Sequence, residues 1–114
     1  MKIILTNDDG IEAPGLRALY KALPADYRLV VVAPENPCSG FGHQVTTHAA
    51  IAVRRIDSNR FGVKGTPADC SRLALKVLAP GADWLIGLYI ALGQSVELAC
   101  AHTALLPSRL NIWL

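Results

Sequence analysis

Asp8 and Asp9 stand side by side in Asn7-Asp8-Asp9-Gly10, directly after the apolar run Ile3-Ile4-Leu5 and Thr6. Two like charges held together repel, and neither gains from an apolar strand beside it. A divalent cation neutralises such a pair, and Mg²⁺ or Mn²⁺ prefers hard oxygen ligands of this kind. An aspartate cap with a solvated neighbour fits the pair equally well, so other residues must decide. The loop PENPCSGFGHQVTTH, residues 34–48, supplies them. Ser39 adds a hydroxyl oxygen, and the glycines of Ser-Gly-Phe-Gly-His, Gly40 and Gly42, free backbone N–H groups to face an anion. A histidine side chain ordinarily changes charge near neutral pH, so His43 reads either as a proton carrier beside a phosphate or as a surface loop histidine. Cys38 precedes Ser39, yet no base is placed to activate it. His48 and His102 have no comparable surroundings and are read as structural.

The elements that must position these residues follow from periodicity. Residues 2–6 (KIILT) are continuously apolar after Lys2, as a strand covered on both faces would be. Pro14 suits a first helical turn, and Leu16, Leu19, Tyr20 and Leu23 recur on one helical face that ends before Pro24. Arg28–Ala33 (RLVVVA) reads as a second buried strand, which makes residues 2–33 a βαβ unit with a parallel sheet. In such a unit the loops after both strands leave from the same end, so residues 35–44 are brought toward Asp8 and Asp9. Residues 50–56 and 60–63 form a hairpin around Asp57-Ser58-Asn59. Thr66 caps the next helix, with Pro67 at its first position and Asp69 at its third, where a negative charge is favoured. Cys70, Leu73, Ala74, Val77 and Leu78 make its buried stripe, and Pro80-Gly81 ends it before a further strand from Asp83. Residues 95–106, between Ser95 and Pro107, read as a last helix. The expected fold is α/β, a three-layer sandwich with a mainly parallel sheet and helices on both faces.

Apolar residues make up 52% of the 114-residue chain and charged residues 18%, a globular composition and not a disordered one. A net charge of +2 argues against a nucleic-acid polymer or a membrane surface as partner. The doublet Arg54-Arg55 reads as a solvated strand edge. Cys38, Cys70 and Cys100 form neither a C-x-x-C pair nor a metal spacing with the histidines, as reduced thiols of a cytoplasmic protein would be. The first residues do not read as a signal peptide, and the apolar stretch 84–92 is expected to be too short to cross a bilayer.

ILTNDDGIEAPGLRAL, VVVAPENPCSGFGH and GVKGTPADC resemble, in that order, three motifs of the SurE family of metal-dependent phosphatases, the survival-protein 5′-nucleotidases. The resemblance covers residues 3–86. It implies a Rossmann-like α/β domain that hydrolyses nucleoside monophosphates. It implies a Mg²⁺ or Mn²⁺ site at Asp8, Asp9 and Ser39, with His43 beside the reacting phosphate. Asn7 and Gly40 match the phosphate pocket, and Thr66, Pro67 and Asp69 match a segment near the substrate. Dimers or higher homo-oligomers are implied as well.

The resemblance stops after Ala82-Asp83-Trp84-Leu85-Ile86. The family pattern continues S-G-I-N-x-G, its asparagine completing the metal site, whereas this chain reads GLYIALGQS. From residue 84 onward only Glu97 and Arg109 carry charge. The chain therefore divides into a SurE-like part, residues 1–86, and an apolar tail, residues 87–114, with a sheet incomplete on its C-terminal side. Two functions are weighed: a 5′-nucleotidase, weakened by the missing asparagine, and a non-catalytic fragment that binds metal or a partner. A phosphoacceptor receiver domain is excluded because residues 77–114 contain no lysine. A dinucleotide oxidoreductase is excluded because NDDGIEAPG is not G-x-G-x-x-G.

Overall fold

The computed structural model describes residues 1–37, 45–89 and 100–105. Ser39, Gly40, His43 and Cys38 lie outside the described residues. The elements run β1 (Lys2–Asn7), α1 (Pro14–Ala22), β2 (Arg28–Pro34), β3 (Val53–Asp57), β4 (Arg60–Val63), α2 (Pro67–Leu73), a π-helical turn (Ala74–Leu78), β5 (Trp84–Tyr89) and β6 (Cys100–Leu105).

The strands form one sheet in the order β3-β4-β2-β1-β5-β6. β4, β2, β1 and β5 are mutually parallel, and the edge strands β3 and β6 run antiparallel to their neighbours. β1 is central, with Ile4 opposite Val30 on one side and Leu85 on the other. Alternation along β1 and β2 divides the core into two layers. Ile3, Leu5, Val31 and Ala33 pack with Ile11 and with Leu16 of α1. Ile4, Val32 and Val63 pack with Cys70 and Ala74 behind the other face. Both faces are covered, which is why these strands carry apolar runs and not alternation; each fully buried Ile, Leu or Val contributes about 1.5–3 kcal/mol. The expected three-layer α/β fold with a mainly parallel sheet is the fold observed.

The hairpin β3–β4 forms where the turn at residues 57–59 places it, although β3 begins at Val53. Its outer position leaves Arg54 and Arg55 exposed, and the Arg54 guanidinium donates to Glu35 Oε1. Two expectations are corrected. The helical stripe fails at Val77, which is 66% exposed, while Ala74 is fully buried. Beyond Ala74 the helix widens: the Ala79 N–H donates to the Ala74 carbonyl at 2.8 Å, an i→i+5 bond that shifts the phase of the next side chains. The helix read over residues 95–106 is not formed at 100–105, which are β6, paired antiparallel with β5 from Tyr89↔Cys100 to Trp84↔Leu105. The capping signals there are local, whereas the outer edge of β5 presents a whole row of N–H and C=O groups that a strand satisfies.

Val77→Lys is expected to leave the urea midpoint within about 0.5 kcal/mol of the parent. Ala74→Leu, which overfills a closed position, should lose about 1–3 kcal/mol. Equal losses at the two positions would mean that the regular helical stripe exists after all.

Candidate functional site

The carboxyl ends of β1, β2 and β4 converge on one rim of the sheet, the place where open parallel sheets hold ligands. β1 delivers Asn7 to this rim almost fully buried. Its amide closes the turn that follows: Asn7 Nδ2 donates to the Gly10 carbonyl at 2.8 Å, and the Gly10 N–H donates to Asn7 Oδ1 at 3.2 Å. Gly10 adopts φ +110°, a left-handed conformation that a side chain would strain. Its α-carbon also faces the exit of β2, since a Cβ there would meet the Pro34 oxygen at 3.6 Å and the Pro37 nitrogen at 3.7 Å. The Ile11 N–H donates to the Pro34 carbonyl at 2.7 Å and joins the two loops. The expectation that the chain after β2 approaches the acidic turn therefore holds for residues 34–37.

Asp8 and Asp9 occupy the middle of this turn, both half-buried. Asp8 Oδ1 is buried without a hydrogen-bond partner among the described residues. Burial, and then the charge of Asp9, raise the Asp8 carboxyl above its usual value against a hydrogen bond from its own backbone. The rim thus holds an acidic oxygen that has lost water and gained no protein donor. That is the environment in which a cation replaces the missing partner, and two carboxylate-bearing residues are the hard donors that Mg²⁺ or Mn²⁺ takes. No cluster of three or more His, Cys, Asp or Glu forms among the described residues, so any further ligand is of another type or from another segment.

Thr66 and Asp69 behave differently from the acidic pair. They form a reciprocal cap at the start of α2: Asp69 N–H donates to Thr66 Oγ1 at 3.2 Å, and Thr66 N–H donates to Asp69 Oδ2 at 2.9 Å. Asp69 is fully buried. Thr46 docks on it as well, its N–H donating to Oδ1 at 2.7 Å and its hydroxyl to Oδ2 at 2.6 Å. Arg72 lies 3.9 Å from Asp69 Oδ1 and donates to the Thr46 carbonyl at 3.0 Å. Burial acts to raise the Asp69 carboxyl, but the hydrogen bonds from Thr46 and then Thr66 outweigh it and hold the group below the usual carboxylate range. A Cβ on Gly65 would stand 2.7 Å from Asp69 Oδ2, so the close approach requires glycine. Both Asp69 oxygens are engaged inside the protein, and the residue anchors the returning end of the loop. Thr46 and Arg72 were not singled out from sequence, because nothing in their local spacing marks a contact 23 residues away.

A groove among the described residues lies elsewhere. It measures about 800 Å³, is lined by Lys2, Tyr20, Tyr27, Arg28 and Asn59, and opens at the amino ends of β1 and β2. It is thus at the opposite rim from the acidic pair. No helix among the described residues is long and apolar enough to cross a membrane.

The fold and rim define a Rossmann-like α/β protein with an acidic pair after its first strand. The family model "Survival protein SurE" matches residues 3–87, and the chain belongs to the SurE family. It is similar to a protein of Synechocystis sp., 56% identical over 86 residues that make up 75% of this chain and 37% of the relative. It is similar also to a 5′-nucleotidase SurE of Geotalea uraniireducens, 49% identical over 78 residues, or 68% of this chain and 32% of the relative. The crystal structure of the SurE protein from Aquifex aeolicus superposes with a TM-score of 0.71 at 39% identity, covering 76% of this chain and 36% of that one. The chain spans about a third of the length of the relatives it matches.

The two kinds of carboxylate predict opposite stability effects. A raised folded pKa means that stability is present while Asp8 is protonated and is lost as pH rises through that pKa. Asp8→Asn should therefore raise the urea midpoint of the metal-free protein at neutral pH. The gain should be a few tenths to about 1 kcal/mol, because a half-exposed group is partly screened, and it should vanish below about pH 4. Asp69, with its lowered pKa, contributes stability above the unfolded value that is lost as pH falls through the folded one. Asp69→Asn should cost about 1–3 kcal/mol at neutral pH. A loss for the first variant or a neutral outcome for the second would contradict these assignments.

Proposed function

We propose that the chain is the phosphate-handling part of a divalent-metal-dependent phosphomonoesterase of the 5′-nucleotidase type, acting on nucleoside 5′-monophosphates in the cytoplasm. The observation that carries this reading is the buried, unpartnered Asp8 Oδ1 beside Asp9 at the carboxyl end of the central parallel strand. The relatives named 5′-nucleotidase SurE support the substrate class.

Asp8 and Asp9 would hold Mg²⁺ or Mn²⁺ together with Ser39 from the loop after β2. When bound, the cation supplies polarisation of the phosphoryl oxygens and a lowered pKa for a water molecule. The chain's own residues do the rest. Asn7 and Gly10 fix the backbone of the turn that carries the two carboxylates. Gly40 would offer its backbone N–H to the phosphate, and His43 would exchange a proton with it. Thr66 and Asp69 shape the neighbouring wall, with Asp69 acting from below through Thr46.

One observation favours a second reading, a non-catalytic module that binds the cation without turnover. Leu88 of β5 lies opposite Asn7 of β1, so β5 ends at the same rim as the acidic turn. In the residues that follow this strand the family resemblance calls for asparagine, and the sequence reads Ile90. Loss of one such group is worth on the order of ten- to a thousandfold in rate.

Release of inorganic phosphate from AMP and GMP is measured with Mn²⁺ or Mg²⁺, in parallel with Asp8→Ala/Asp9→Ala. Turnover by the parent that the double substitution abolishes is the expected result. Cation binding by the parent without turnover would select the second reading. If neither protein binds the cation, the acidic pair has some other purpose and the phosphatase reading falls.

A further inference from the structure

Two buried side-chain oxygens without a hydrogen-bond partner occur among the described residues, and they lie two positions apart: Thr6 Oγ1 and Asp8 Oδ1. Thr6 is fully buried within β1, the one hydroxyl in a run that is otherwise Ile3, Ile4 and Leu5. An extended chain rises about 3.3 Å per residue, so the two α-carbons stand within about 7 Å of each other. A buried hydroxyl that bonds to nothing costs about 1–3 kcal/mol relative to an apolar group of the same shape. Valine has that shape, favours strands more strongly and would extend the apolar run without penalty. A threonine here is explained if its hydroxyl finds a partner that belongs to neither the sheet nor α2.

We propose that Thr6 is a positioning residue of the Asp8 cation site, its hydroxyl bonding a water of the hydrated cation held at the acidic turn. This rests on the metal-dependent reading above and adds a residue to it. A hydroxyl is suited to the place because it both donates and accepts, so it can meet a water in whichever orientation the cation imposes. Magnesium in particular keeps several of its waters, and each needs a protein acceptor or donor once it is taken out of solvent. Asp8, whose Oδ1 lacks a protein donor, and Thr6, whose Oγ1 lacks any partner, are complementary in this respect. Outer groups of this kind typically change metal affinity by about ten- to a hundredfold.

The test compares the parent, Thr6→Val and Thr6→Ser by calorimetric titration with Mn²⁺ and by thermal unfolding with and without Mn²⁺. For Thr6→Val the expected result is an unchanged or higher midpoint without metal, together with a Mn²⁺ affinity about tenfold weaker. Thr6→Ser should recover most of that affinity. An affinity for Thr6→Val equal to the parent's would overturn the proposal and leave the metal reading intact. Equal weakening in both variants would assign the effect to packing and overturn it too. A parent that binds no Mn²⁺ would remove both readings at once.

Discussion

The site depends on one arrangement: a central parallel strand that ends with two adjacent carboxylates, one of whose buried oxygens has no hydrogen-bond partner among the described residues. β1 is flanked by parallel partners on both sides, so its backbone groups are consumed by the sheet and its direction is set. The chain must then turn away sharply. The reciprocal bonds between Asn7 and Gly10, with the left-handed glycine, make that turn rigid. Burial first, and the charge of Asp9 second, raise the Asp8 carboxyl above its usual value.

Around that rim the protein uses acidic groups in two contrasting ways. Asp69 is more deeply buried than Asp8, yet it is comfortable, because Thr46 and Thr66 surround it with donors. Asp8 is less buried and remains short of partners. Burial therefore does not by itself set the state of a carboxylate; the supply of hydrogen-bond donors does. The same comparison divides the hydroxyls. Those of Thr46 and Thr66 are engaged in holding the loop and the helix start, whereas that of Thr6 has no partner among the described residues.

The two faces of the sheet also divide the labour. α1 and its apolar stripe close one face through Leu16, and the turn after β1 runs directly into that helix. On the other face, the reciprocal cap of Thr66 and Asp69 starts α2 on the same side as the loop that returns at Thr46. Stability and site geometry thus share residues. Gly65 shows the overlap, since its missing side chain leaves room for the carboxylate that fastens the loop.

Much of this was legible in the residues alone, wherever the signal is local. The apolar runs of β1 and β2, the period of α1, the turn of the β3–β4 hairpin and the Thr66-Pro67-Asp69 helix start are each written within a few neighbouring positions. So was the acidic pair, because adjacent like charges after an apolar strand need a reason that the strand cannot provide. What required the tertiary structure are the features that depend on distant partners. Residues 100–105 became a strand because the edge of β5 was open, not because of their own preference. Val77 left the buried stripe because the helix widened behind Ala74. Asp69 acquired its role only when Thr46 arrived from 23 residues away. Periodicity and capping are properties of one stretch of backbone, whereas the satisfaction of a buried polar group depends on which other stretches fold against it, and composition and spacing do not encode that.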